Sequence, residues 1–117
     1  MRLLLCEDDV LIATDLARSL TGLGAEIIAF ARNAGDVMDF ATASWLKVDA
    51  AVLDVSLFGQ PVFPAAKILR GRGVAVVFYS GYSSRDLPED FADAAFINKP
   101  AEPSRIMRAL VDGVAAR

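Results

Sequence analysis

The sequence contains no histidine. That removes Ser-His and Cys-His nucleophilic catalysis, and most zinc sites, from the functions it can perform. Cysteine is almost as scarce. The single Cys6 cannot form an intramolecular disulfide, and its place in an apolar run reads as a buried, inert thiol that fits a reducing compartment. A dense basic run is also missing. Arginines are scattered along a chain of net charge -3, which argues against a nucleic-acid groove or an anionic membrane surface as the main partner. No apolar stretch reaches spanning length, and the opening MRLLLCEDD turns acidic too soon for a signal peptide, so a cytoplasmic protein is expected. No linker, internal repeat or low-complexity tract breaks the chain. What is present is a 55% hydrophobic composition over 117 residues, enough to bury a core without staples. The expectation is one domain over residues 1–117 with no output domain, whose output comes from its own surface.

Five short apolar runs read as strands: Leu3–Cys6, Glu26–Phe30, Ala50–Leu53, Val74–Tyr79 and Ala95–Asn98. Most are continuously apolar rather than alternating, the pattern of parallel strands covered on both faces. Between them lie helical stretches. Leu11–Leu23 carries Ile12, Leu16, Leu20 and Leu23 at steps of four and three, with Asp9 placed to cap its start and Gly22 and Gly24 to stop it. Asn33 can cap a second helix that turns Val37, Phe40 and Ala41 inward. A third covers Phe63–Arg70, with Pro64 in its first turn, where no amide hydrogen bond is lost. The polar, Pro88-containing stretch Ser83–Asp93 predicts a short or irregular fourth helix. The last helix starts near Pro103 with Ile106, Leu110 and Val114 at helical spacing. Five β-α units with right-handed crossovers predict an α/β fold, a doubly wound five-stranded parallel sheet of order 2-1-3-4-5 in the flavodoxin-like manner.

The polar residues carry information through their positions. Glu7, Asp8 and Asp9 follow the first strand, Asp54 ends the third, Ser80 the fourth, and Lys99-Pro100 the fifth. In an open parallel sheet the ligand crevice lies beyond the carboxyl ends of the strands, where the strand order reverses. With that order Asp8 and Asp54 face each other across it. Converging carboxylates repel unless a cation sits among them. Mg²⁺ takes one or two carboxylates, keeps several waters and leaves room for a phosphoryl oxygen. Lys99 adds a fixed positive charge and Ser80 a hydroxyl donor. The set describes a site for a tetrahedral anion transferred onto a carboxylate.

These residues resemble the receiver domain of two-component response regulators over nearly the whole chain, on the strength of four separate strand ends. Phe78-Tyr79-Ser80-Gly81-Tyr82 is also similar to the signature of the FAT GUY receivers, often single-domain proteins, with Tyr79 in place of the alanine and Ser80 in place of the threonine. Val62-Phe63-Pro64 fits that subgroup as well. The resemblance implies that Asp54 is the phosphoacceptor, receiving its group from a histidine kinase or a histidine phosphotransfer protein. It implies that Asp8 ligates Mg²⁺ directly, that Glu7 binds through water or orients the site, and that Ser56 offers its backbone carbonyl. Ser80 and Lys99 contact the phosphoryl group, and Lys99-Pro100 is cis. Signalling then runs through a downstream protein target, with Phe96 or Tyr82 as the switch aromatic. Departures from the family pattern are Phe58 for a common proline, Val62 for the usual glycine, and Ala101 for a larger apolar residue after Lys-Pro.

Other readings compete. A Mg²⁺-dependent phosphatase of haloacid-dehalogenase type wants a second aspartate two residues past the nucleophile, where this chain has Ser56, or Val10 if Asp8 attacked. A flavodoxin-like nucleotide binder wants hydroxyl- or glycine-rich phosphate contacts where Glu7-Asp8-Asp9 stand. Gly22-Leu23-Gly24 precedes a strand and is no dinucleotide fingerprint. A pseudo-receiver used only for docking has no need of intact Asp8, Asp54 and Lys99. The receiver reading makes the chain a phosphoacceptor rather than an enzyme acting on small molecules.

Overall fold

The computed structural model describes residues 1–57 and 60–117. Its elements, in chain order, are β1 (Arg2–Cys6), α1 (Val10–Gly22), β2 (Glu26–Ala31), α2 (Ala34–Thr42), β3 (Ala50–Leu53), β4 (Ser56–Leu57), β5 (Gln60–Pro61), α3 (Phe63–Gly71), β6 (Ala75–Ser80), β7 (Ala95–Asn98) and α4 (Pro103–Ala115). The main sheet is parallel with order β2-β1-β3-β6-β7. Counting only its own five strands, this is the expected 2-1-3-4-5. The labels shift because β4 and β5 form a separate antiparallel hairpin, pairing Ser56 with Pro61 and Leu57 with Gln60. Two-residue strands leave no periodicity in the sequence, and the hairpin was not expected.

The period-2 alternation of the strands divides the core in two. Leu4, Cys6, Leu53, Val76 and Phe78 face Val37 and Ala41 of α2 and Ala66 and Leu69 of α3. Leu3, Leu5, Val52, Val77 and Tyr79 face Leu16 and Leu20 of α1 and Ile106 and Leu110 of α4. Each fully buried leucine among them stabilises the fold by about 1.5–3 kcal/mol. Gly113 lets α4 lie close on the sheet, since a Cβ there would stand 3.1 Å from that of Ala75.

Helix ends follow the sequence signals. Asp9 caps α1, its Oδ1 accepting from the amides of Leu11 at 2.9 Å and Ile12 at 3.2 Å, and Asn33 caps α2 by accepting from Asp36 N at 2.8 Å. Gly24 and Gly73 adopt φ of 105° and 82°, the left-handed turns that carry the chain from α1 into β2 and from α3 into β6. The inner stripe of α1 differs from expectation. Ala13, Leu16 and Leu20 are buried, whereas Ile12 is 38% and Leu23 49% exposed. Sheet and α4 contact a narrow strip of α1, and the flanks of the stripe stay outside it. Trp45 also stands out, 68% exposed and edge-on to Phe40 at a centroid distance of 6.2 Å.

The fourth crossover is not an α-helix. Two 3-10 turns, Ser84–Asp86 and Glu89–Phe91, lie either side of Leu87-Pro88, because proline cannot donate to a continuing helix. Phe91 anchors this segment. It is buried against Phe78 (5.4 Å between centroids) and Phe63 (5.7 Å). Arg70 lies over its ring at 5.1 Å and bonds Asp93 at 3.2 Å. Among the described residues, no helix is long and apolar enough to cross a membrane.

Candidate functional site

The carboxyl ends of β1, β3, β6 and β7 deliver Glu7, Asp54, Ser80 and Lys99 to one place. Asp54 is 8% exposed and both its oxygens are engaged. Ser80 Oγ donates to Oδ1 at 2.6 Å, and Lys99 Nζ donates to Oδ2 at 2.8 Å. Lys99 also pairs with Glu7 Oε2, so one ammonium bridges two buried carboxylates. Glu7 Oε1 accepts from the amide of Asp9 at 3.2 Å. Asp8 is half-buried beside them, and Glu7, Asp8 and Asp54 each present an oxygen within 4.8 Å of the others. Asp9 is outside this group, spent on the cap of α1.

Electrostatics explain why the cluster holds together. Burial pushes the Glu7 carboxyl above the usual carboxylate range; its bonds from Lys99 and the Asp9 amide oppose the rise, and Asp8 adds to it. Burial alone would favour a neutral Lys99. The hydrogen bonds and charges of Asp54 and Glu7 outweigh that, and the ammonium is held charged above its ordinary pKa. Cys6, directly before Glu7, is 2% exposed, and burial together with the charges of Asp54 and Glu7 pushes its thiol well above the ordinary range. It is the inert core thiol expected.

Three carboxylates against one ammonium leave a formal charge of about two negatives, which suits a divalent cation. Mg²⁺ takes one or two carboxylates and completes its shell with water, so Glu7, Asp8 and Asp54 suffice for its protein carboxylate ligands. The donor set is all oxygen, as a hard cation requires.

The remaining expected residues lie around this centre. Lys99-Pro100 is a cis peptide. Ser56 opens β4 two positions past Asp54. Phe58 lies outside the described residues, and Val62, fully buried, ends the loop as the residue before α3. Phe96 is half-buried and paired in register with Phe78. Tyr82 is 50% exposed, its amide donating to Ser80 Oγ at 3.3 Å and its carbonyl accepting from Asn98 Nδ2 at 2.7 Å. Two contributors escaped the sequence reading. Asn98 ties the loop after β6 to the end of β7. Tyr79 sends its hydroxyl to the amide of Ala101 and carries Lys99 over its ring. The available signal was an aromatic at the strand end one residue before Ser80, where the similar receiver signature has alanine. A larger hollow, about 680 Å³ beside Arg70, Asp93, Asp112 and Arg117, lies at the N-terminal end of β6, away from these groups.

No family model matches the chain. It is similar to the transcriptional regulatory protein PdtaR of Mycobacterium tuberculosis, 31% identical over 113 residues that cover 93% of this chain and 54% of PdtaR. The chain thus spans about half the length of the curated relatives it matches. Among solved structures it superposes on SdrG from Sphingomonas melonis Fr1 with a TM-score of 0.77 at 26% identity, covering 98% of this chain and 96% of SdrG. It superposes on a response regulator receiver protein from Sinorhizobium medicae WSM419 with a TM-score of 0.81 at 19% identity, covering 99% and 95%. The fold is therefore the receiver fold expected from the sequence.

Proposed function

We propose that the chain is a cytoplasmic two-component receiver in which Asp54 accepts a phosphoryl group from a phosphohistidine on a histidine kinase or histidine phosphotransfer protein. One observation carries this reading. A buried aspartate at the switch point of the sheet is flanked by a hydroxyl on one oxygen, an ammonium on the other, and two further carboxylates.

An Asp54 oxygen attacks phosphorus as the P–N bond of the donor breaks. The imidazole keeps the electron pair and takes a proton from solvent, and Asp54 becomes a mixed anhydride. Little acid–base work is asked of the protein, because phosphoryl transfer is mainly positioning and charge neutralisation. Lys99 is already within hydrogen-bond distance of the acceptor and compensates the incoming charge. Ser80 is already turned to Asp54 at 2.6 Å and fully buried, so it can pass to a phosphoryl oxygen without a long excursion. Asp8 and Asp54 would hold Mg²⁺, with Glu7 acting through water or as orienter and the Ser56 carbonyl completing the protein ligands; the ion would neutralise the oxygens of the transferring group.

The new charge and acceptor oxygens at Asp54 pull on Ser80 and Lys99. Through Ser80 Oγ the pull reaches the Tyr82 amide, and through Asn98 it reaches the end of β7 beside Phe96. Tyr82 and Phe96 are the switch aromatics of this reading, and a downstream protein target reads their surface. The Phe78–Tyr82 run supports assignment to the FAT GUY-like receivers, with Tyr79 and Ser80 standing for the alanine and threonine of their signature. The test is intact-mass measurement with Mg²⁺ and a small phosphodonor. One phosphoryl group is expected on the wild type and none on Asp54→Asn. Catalytic turnover of simple phosphate esters would instead favour the phosphatase reading.

A further inference from the structure

We infer that Tyr79 is a positioning residue for Lys99, clamping the ammonium onto Asp54 from beneath and from behind; the functional part of this inference rests on the phosphoacceptor reading above. Tyr79 lies on β6 next to Ser80, 8% exposed, and pairs in register with Ile97 of β7. Its hydroxyl accepts the amide hydrogen of Ala101 at 3.2 Å, and its ring centroid lies 5.5 Å from Lys99 Nζ. One side chain therefore holds both ends of the segment Lys99-Pro100-Ala101.

The packing around that segment gives the clamp its importance. A groove of about 210 Å³, lined on the α1 side by Ile12, Asp15, Leu16 and Ser19 and on the other by Tyr79, Ala101 and Pro103, separates the segment from α1. The small Ala101 side chain does not fill it. The Ala101 amide donates to the Tyr79 hydroxyl, and Lys99 N donates to Ser80 O at 2.9 Å on the other side. A lysine side chain has several rotatable bonds and its ammonium attracts any nearby carboxylate. An aromatic face under the ammonium narrows that choice, since the ring quadrupole favours a cation above it. Glu7 and Asp54 both compete for Lys99. The ring lets the ammonium serve Asp54 and Glu7 together rather than swing out to solvent.

Two substitutions separate the parts. Tyr79→Phe keeps the ring and removes the hydroxyl; Tyr79→Leu keeps an apolar side chain and removes both. The first readout is the ring-current shift of the Lys99 Cε and Nζ proton resonances, which needs no phosphorylation. It is expected to persist in Tyr79→Phe and vanish in Tyr79→Leu. The second is the phosphorylation rate with a small phosphodonor at saturating Mg²⁺. A drop of roughly three- to tenfold is expected in Tyr79→Leu, the range set by a partly desolvated cation–π contact, with a smaller drop in Tyr79→Phe. Mg²⁺ affinity should not fall, because no carboxylate is altered and a less tightly held ammonium repels the ion less; a merely structural role would weaken rate, metal binding and melting temperature together. Unchanged Lys99 resonances in Tyr79→Leu, a wild-type rate in that variant, or parallel loss of all three properties would overturn the inference. A wild type that takes up no phosphoryl group refutes the acceptor reading and leaves the clamp to be judged on the Lys99 resonances.

Discussion

Replacing Lys99 by methionine isolates the charge balance on which the site depends. Methionine keeps the length and apolar stem and removes the ammonium that bridges Glu7 and Asp54. Both carboxylates are almost buried, with side chains 3% and 10% exposed. Breaking a buried ion pair from one side costs about 3–5 kcal/mol. Lys99 keeps 19% of its side-chain exposure, and Glu7, already displaced toward its protonated form by burial, can take up a proton. The expected loss is therefore on the low side, about 2–3 kcal/mol. For a chain of 117 residues the unfolding entropy is about 0.25 kcal/mol/K, so Tm should fall by roughly 8–12 °C in EDTA. Metal should reverse part of this. Without the lysine the positive charge that opposes a divalent cation is gone. Relief of that repulsion should let Mg²⁺ bind more tightly, by on the order of tenfold, even after Glu7 gives up the proton it gained. Thermal unfolding with and without Mg²⁺ measures both effects, since ligand binding raises stability by mass action. A Lys99→Met variant as stable as the wild type in EDTA, or one stabilised less than the wild type by the same Mg²⁺, would refute the charge argument.

Further outcomes follow from individual contacts. Asp8 and Asp9 are adjacent yet do different work: Asp8→Asn should weaken Mg²⁺ binding by about tenfold or more with little change in melting, whereas Asp9→Ala should cost about 1 kcal/mol of stability and leave metal affinity unchanged. Calorimetry on both variants checks the division. Arg72 bonds the carbonyls of Ala41 at 2.8 Å and Leu46 at 2.9 Å, closing the end of α2, and Arg72→Ala should cost about 1–3 kcal/mol in urea unfolding. Asp49 accepts from the Arg2 amide at 2.8 Å, which with the nearby Arg117 holds its carboxyl below the ordinary aspartate range. A depressed folded pKa gives stability that is full above the unfolded value, near 3.9, and is lost as pH falls through the folded one. Because the side chain is 38% exposed, the gap between wild type and Asp49→Asn should be under about 1 kcal/mol at neutral pH. It should close as the solution is acidified through the lowered Asp49 pKa, as pH-dependent urea midpoints will show.

The strand ends were legible because parallel strands buried on both faces must be apolar, so any charge that follows one marks its carboxyl end. Glu7, Asp8, Asp54, Ser80 and Lys99 were found that way, and the strand order then brought them together. Helix caps were equally readable, since Asp9 and Asn33 sit where exposed amides need an acceptor. Other features leave no local signature. Period alone placed Ile12 and Leu23 inside, but how wide a strip of α1 is covered depends on the distance to α4. The hairpin of β4 and β5 is too short to show a period. Tyr79 showed only as the end of a strand and a substituted alanine; its role depends on where Lys99 and Ala101 arrive from β7, which is a tertiary fact.

The most direct test of the central claim is chemical mapping of the modified residue. After incubation with Mg²⁺ and a phosphodonor, borohydride reduces an aspartyl phosphate to the corresponding alcohol and fixes its position for peptide sequencing by mass spectrometry. Reduction is expected at Asp54 alone, and is expected to be absent when Mg²⁺ is chelated. Reduction at Asp8, or at no aspartate in a wild-type protein shown to be folded, would contradict it.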